Sequence, residues 1–210
     1  MTEERSTLRG GIKAGVRAAA TLAIIPALCS FHVRKRILGA DRALMGSTQA
    51  LALIPGLTGQ YLRWAFLARV LASCAPSVTI EWGTIFADVD TRIEDHVYIG
   101  PNCHIGLAHI EREVLIGACV HVPSGGMSHG LADPNRPLRD QAGERRCVRI
   151  GANSWIGSGA VVMADVGPST IIGAGAVVTA PMPGLVVAAG VPARIVKHRP
   201  SPAGAVPPAC

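Results

Sequence analysis

Seven histidines stand at positions 32, 96, 104, 109, 121, 129 and 198. An imidazole titrates near neutral pH, so it can take a proton from a hydroxyl and return it to a leaving group. His129 is set apart from the others by its setting. It lies between Ser128 and Gly130 in a stretch of 25 residues, 123–147, that interrupts an otherwise regular pattern. That makes it the candidate general base. His121 alternates with Val120 and Val122 and is expected to point outward from a strand, toward a neighbouring subunit or the surface. His96, His104 and His109 fall on earlier repeats and read as surface residues. Asp133 is near His129 in sequence, but a backbone carbonyl or a carboxylate from another repeat could orient the imidazole equally well. Arg136, Arg139, Arg145 and Arg146 crowd the same stretch. They suit either an anionic acceptor or a solvated surface. The six cysteines include no C-x-x-C pair, which argues against a zinc ribbon or a dithiol site and for reduced, scattered thiols.

The elements that would position these groups follow from periodicity. Ile93, Ile99, Ile105, Ile110, Ile116 and Val122 recur at intervals of six, six, five, six and six. The period returns at Ile150, Ile156, Val162, Val166, Ile172 and Val178. Four residues after many of these lies a small or apolar side chain, as at Val97, Cys103, Val114 and Val120. Such hexads form a parallel β-helix, in which each six-residue unit is one short strand and a turn. The aliphatic residue points inward, and the small residue is expected to fit the turn. No unit covers its own apolar face, so units must stack. Residues 78–122 and 148–183 make about four and a half coils at three units per coil. A long excursion on such a rigid stack is usually functional.

Before residue 77 the spacing is helical, with Leu51, Ile54, Leu57, Tyr61, Leu62, Phe66 and Val70 recurring every three or four residues and a break at Pro55-Gly56. The 210 residues carry 20 Lys and Arg against 14 Asp and Glu, but residues 1–40 hold seven of the cations and only two of the acids. The rest is close to neutral, which excludes a dedicated nucleic-acid-binding domain. The apolar run 18–31 is too short to span a bilayer and contains Pro26; with Arg34-Lys35-Arg36 beside it, peripheral contact of residues 18–36 with the inner face of a membrane is expected, in a cytoplasmic protein. A plain packed helix and a signal segment are the rival readings.

The ordered blocks Asn153-Ser-Trp-Ile-Gly157, Ile172-Gly-Ala-Gly-Ala-Val-Val-Thr179 and Ala188-Ala-Gly-Val-Pro192-Ala-Arg194 resemble the hexapeptide-repeat acyltransferases, among them the xenobiotic, maltose, galactoside and serine acetyltransferases. The resemblance covers about residues 78–197. Leu38-Gly-Ala-Asp41-Arg and Ile54-Pro-Gly-Leu57 are similar to members that work on polysaccharides. It implies a left-handed β-helix with an N-terminal helical extension, a homotrimer, and transfer of an acetyl group from acetyl-CoA to a hydroxyl of a sugar or glycan, with no metal. The family's catalytic His lies on the excursion, about two dozen residues before the Trp of the W-I-G unit; His129 precedes Trp155 by 26. By position, Ser158 and Ala174 would face the pantetheine arm, Thr179 would lie near the adenosine end, Trp155 would wall the groove, and Arg194 and Lys197 would meet phosphates. Where relatives often carry Lys after the Thr, this chain has Ala180, which puts more weight on Arg194, Lys197 and Arg199.

The expected organisation is a helical, basic extension over 1–76, the β-helix over 77–197 with its excursion, and a Pro/Ala-rich tail over 198–210. Two competing functions use the same scaffold. One is a metal enzyme resembling the γ-class carbonic anhydrases, which needs three converging His ligands; no late hexad here carries the required pair. The other is a non-catalytic scaffold or glycan-binding module.

Overall fold

The computed structural model describes residues 2–127, 130 and 132–200. Four helices come first: α1 (Thr2–Ala23), α2 (Ile25–Leu38), α3 (Ala40–Ala52) and α4 (Gly56–Val70). Pro26 sits in the first turn of α2, where its missing N–H would have had no helical partner, and the chain bends by 46° between α1 and α2. Gly39, at φ 87, allows the sharp turn from α2 into α3. Phe31, Leu44, Phe66 and Leu67 are buried in one continuous core with Ile80, Phe86 and Ile93 of the first coil. The helices therefore cap the open end of the stack, covering apolar surface that a terminal coil would leave in water.

The stack itself is a left-handed parallel β-helix of about six turns. Its strands are two or three residues long, apart from the four-residue Val186–Ala189 near its far end, and form three faces. Face A runs through Ser73–Cys74, Arg92–Ile93, Ala108–Ile110 and Val148–Ile150; face B through Thr79–Ile80, Tyr98–Ile99, Leu115–Ile116, Trp155–Ile156, Ile171–Ile172 and Val186–Ala189; face C through Ile85–Phe86, His104–Ile105, His121–Val122, Val161–Val162 and Val177–Val178. Each strand pairs in parallel with those of the coils above and below. Val166 and Met182 extend face A as isolated bridges.

The hexad aliphatics fill the interior: Ile93, Ile99, Ile105, Ile110, Ile116 and Val122 are all buried. The stack is longer than the four and a half coils expected from hexads. Ser73–Cys74 and Val186–Ala189 add rungs where no complete hexad marks them, and successive coils advance by 16 to 19 residues rather than a uniform 18. The residues four places after the aliphatics do more than fit a turn. Val97, Cys103, Val114, Val120, Ala160 and Ala176 are buried and complete the core at the corners. The left-handed backbone falls one residue earlier, at His96, Asn102, Glu113, Cys119 and Asn153. At the far end, Arg194–His198 turns back antiparallel on Val186–Ala189. This return strand pairs the last edge, which would otherwise offer open hydrogen-bonding groups.

Candidate active site

Three corners join the faces, and the excursion leaves from the corner between faces C and A, directly after His121–Val122, and returns at Val148. Its base is zipped: the Arg146 N–H donates to the Ser124 carbonyl (2.9 Å) and the Glu144 N–H to that of Met127 (2.8 Å). Its tip is built round the buried Gln141, whose side-chain amide donates to the carbonyls of Asp133 (2.8 Å) and Arg136 (2.9 Å) and accepts from the Asp133 N–H (3.0 Å). Asp133 Oδ1 is engaged locally by the Asn135 N–H at 2.9 Å. His129 and Ser128 lie outside the described residues. The chain on either side is placed, with Met127 at the base and the Gly130 N–H donating to the Gln141 carbonyl at 3.4 Å.

Under the base of the excursion lies a cleft of about 570 Å³, lined in part by Met127, Glu144, Arg146, Met163 and Thr179. Thr179 is exposed at the C–A corner. Ser158 and Ala174 are exposed on successive coils at the neighbouring B–C corner. The coils are close there: a Cβ on Gly157 would stand 2.4 Å from the Ala174 nitrogen, so only glycine fits. The Ser158 hydroxyl accepts the Ala118 N–H at 3.2 Å. Trp155 is 53% exposed on face B, in an outward ladder with Tyr98, Leu115, Ile171 and Val187. Arg194 and Lys197 are exposed on the return strand beside that face. Arg199 is tied down instead, its guanidinium donating to the Ser169 carbonyl and its N–H to that of Leu185. One protomer thus brings Thr179 to the cleft and Ser158 to Ala174, but leaves Trp155, Arg194 and Lys197 on another face.

The outward residues of face C ahead of the excursion are Ile85, His104 and His121, the two histidines stacked with ring centroids 6.0 Å apart. Burial, and then the His121 ring, push the His104 pKa below its usual value. His109, read as a surface residue, is partly covered, with Nε2 2.8 Å from Glu94 Oε1. Among the described residues, no group of three or more His, Cys, Asp or Glu is placed to hold a metal ion. All four loop arginines have partners: Arg136 donates to the Asp140 carbonyl (2.7 Å) and Arg139 stands 3.7 Å from Asp140 Oδ1, both within the excursion, whereas Arg145 and Arg146 reach carboxylates outside it. Arg146 meets Asp165 at 2.8 Å, and Arg145 meets both Asp41 of α3 (2.9 Å) and Asp88. No spacing announces these pairs, because 104 residues separate Arg145 from Asp41.

No protein-family model matches the chain. It is 31% identical over 122 residues to WbbJ of Escherichia coli K12, named as a candidate lipopolysaccharide biosynthesis O-acetyl transferase; the match takes in 55% of this chain and 61% of WbbJ. The chain thus spans less than two thirds of that relative. Its structural neighbours are hexapeptide-repeat acetyltransferases. A maltose O-acetyltransferase from Clostridium difficile 630 superposes with a TM-score of 0.67 at 20% identity, over 79% of this chain and 89% of that one. The hexapeptide-repeat acetyltransferase VCA0836 of Vibrio cholerae O1 biovar eltor, complexed with acetyl coenzyme A, gives 0.62 at 22% identity over 79% and 90%. A galactoside acetyltransferase in complex with coenzyme A gives 0.56 at 23% over 75% and 80%. At these identities the likeness is one of fold.

Proposed function

We propose that the chain is a CoA-dependent O-acyltransferase that moves an acetyl group from acetyl-CoA to a hydroxyl of a sugar or glycan, with His129 as general base. One observation carries the reading: the excursion departs over the Thr179 cleft and brings the chain to Met127 at its rim, two residues before His129. His129 would take the acceptor's hydroxyl proton as that oxygen attacks the thioester carbonyl, and return it to the departing thiol. Ser158 and Ala174 would border the pantetheine arm, Thr179 the adenosine end, and Arg194 and Lys197 the phosphates, where exposed cations suit bidentate or point contacts. Coenzyme A in two of the structural neighbours supports the donor, and the WbbJ match supports an envelope glycan as acceptor. The test is acceptor-dependent thiol release from acetyl-CoA over a panel of sugars and extracted glycans, with His129→Ala alongside. Removal of a general base is expected to cost about 10²–10⁴-fold in rate. Release that is unchanged in the variant would remove His129 from the reaction.

A homotrimer belongs to this reading. The uncovered ladder Tyr98, Leu115, Trp155, Ile171 and Val187, and its separation from the Thr179 cleft within one protomer, both suit a site completed by a second copy. Light scattering on the purified protein tests the mass.

Peripheral membrane contact is also part of it. No single helix among the described residues is long and apolar enough to cross a bilayer, though the bent pair Lys13–Ala23 and Ile25–Leu38 would by length and composition. Helix α2 has two apolar faces. Phe31 is buried, while Ile25, Val33 and Ile37 are exposed on the opposite side, with Arg36 among them. No acidic residue occurs between Glu4 and Asp41. An apolar stripe set in cations fits an anionic lipid surface. Sedimentation with phosphatidylserine-containing vesicles should exceed that with phosphatidylcholine alone, and Val33→Asp/Ile37→Asp should abolish it. Equal binding to both vesicles would refute the electrostatic part.

A further inference from the structure

The excursion is anchored at more than its base. On its return limb, Arg145 reaches back along the stack and Arg146 reaches forward. Arg146 meets Asp165, at the C–A corner of the following coil. Arg145 meets Asp88, at the corresponding corner of the first coil, as well as Asp41 in the first turn of α3. Both carboxylates are fixed from behind. Asp41 Oδ1 accepts the Val89 N–H at 3.1 Å, and Asp88 Oδ1 accepts the Asp90 N–H at 3.0 Å.

The burial of these groups separates this cluster from an ordinary surface pair. Asp88 is only 1% exposed, whereas Arg145 is half exposed. Exposed ion pairs hold little, but a buried carboxylate without its cation is strongly disfavoured. Among the described residues Arg145 is the one cation in contact with Asp88. The fold therefore draws Arg145 to this spot, and with it the limb that is paired to Met127 through Glu144. Asp41 makes the helical cap a party to the same contact.

We propose that Arg145 is a positioning residue for the transfer reaction: clamped between Asp41 and Asp88, it sets the height of the excursion over the cleft, so that the N-terminal helices bear on the segment whose sequence carries His129. The inference rests on the transferase reading, and its test separates the two. The full-length protein is compared with Arg145→Ala, Arg145→Lys and Asp41→Asn by amide hydrogen exchange and by steady-state kinetics with acetyl-CoA. Asp41→Asn removes only the exposed half of the clamp, so it reports even where Arg145→Ala folds poorly.

In Arg145→Ala, exchange across 123–147 should rise at least about tenfold, while amides of the coils on either side keep their protection. A displacement of about 1 Å at a reacting group can cost on the order of 10²-fold, so kcat should fall between about 10- and 100-fold. KM for acetyl-CoA should stay within about twofold, and the acid limb of the pH profile should not move, because the base itself is unchanged. Arg145→Lys should recover part of kcat, and Asp41→Asn should fall between it and wild type. Exchange that does not change in any variant would overturn the clamp, whether or not the wild type transfers acetyl groups. Raised exchange with wild-type kcat would overturn the positioning role. A wild-type protein that binds no CoA and releases no thiol would count against the transferase reading, and the exchange measurement would still decide the clamp.

Discussion

Replacing Arg63 with Met should loosen the helical cap and leave the far end of the stack intact. Arg63 is 2% exposed within α4. Its guanidinium donates to the carbonyls of Leu51 (3.2 Å) in the last turn of α3, of Ile54 (2.7 Å) in the link to α4, and of Ile80 (3.0 Å) on the first coil. One side chain thus reaches three acceptors, of which the Leu51 carbonyl also accepts the Ile54 N–H (3.3 Å), so that Ile54 and Ile80 are the two that depend on it. Each buried carbonyl left without a donor costs about 1–3 kcal/mol. Against this, the substitution removes a buried cation whose pKa burial already lowers, with Glu81 partly offsetting that effect, and whose Nη2 has no partner among the described residues. The balance is a loss of about 3–5 kcal/mol, the middle of the roughly 2–6 kcal/mol set by two orphaned carbonyls. For a chain of this length, about 2–4 °C per kcal/mol converts this to a fall in Tm of about 6–20 °C. Circular dichroism melts at one fixed protein concentration measure the shift. Calorimetric titration with CoA, whose expected contacts lie three or more coils away, should give a Kd within about twofold of wild type. A Tm change below about 2 °C would refute the accounting.

Other consequences are as direct. Arg194→Ala should weaken CoA binding about tenfold, the value of one charge-assisted contact of about 1.4 kcal/mol, whereas Arg199→Ala should act on Tm instead, because that guanidinium is already spent on Ser169. Gly157→Val forces a side chain against the Ala174 backbone and should cost at least about 3 kcal/mol; an unchanged denaturation midpoint would show that the coils can part. The depressed pKa of His104 means that the fold resists protonating it. Its stability is therefore full above the unfolded value of 6.5 and declines as pH falls through 6.5 toward the lower folded value. His104→Phe should flatten that part of the stability–pH curve. Burial drives the Cys74 thiol up to about 12 and also raises that of the buried Cys103. Iodoacetamide on the native protein should label the exposed Cys29 and Cys119 first and leave Cys74 and Cys103 until denaturant is added.

The repeat was legible because each rung must bury an aliphatic at a fixed interval, and Ile93 through Val122 obey that demand. The break at Pro55-Gly56 was legible for a similar reason, since local backbone chemistry ends α3 before it and starts α4 at Gly56. The rungs at Ser73–Cys74 and Val186–Ala189 were hidden, because pairing with an adjacent coil and not a hexad makes them strands. Arg63 read as one more cation on a helix; only the meeting of α3, α4 and the first coil gives it three carbonyls. The loop arginines had two readings from composition, an acceptor site or a solvated surface. For Arg145 and Arg146 the structure supplies a third, carboxylates of other coils and of α3, of which Asp41 and Asp88 lie far from Arg145 in sequence. His129 follows from its setting in the sequence and its spacing of 26 to Trp155, and it lies outside the described residues.

The single break in register has a consequence for how the chain assembles. Along face B, Tyr98 pairs with Leu115 and Trp155 with Ile171, partners 16 or 17 residues apart, but Leu115 pairs with Trp155, forty residues on. Nearly every contact is a short closure between neighbours, so zippering can spread from either side and must wait only at this seam. The wait is modest: lengthening a closure from 17 to 40 residues adds only about 0.8 kcal/mol of chain entropy. A β-helix can therefore accept a long foreign segment between two coils at little thermodynamic cost. The segment can change length and composition while the ladder beneath it continues unaltered, so the stack conserves shape while the seam is free to explore new acceptors.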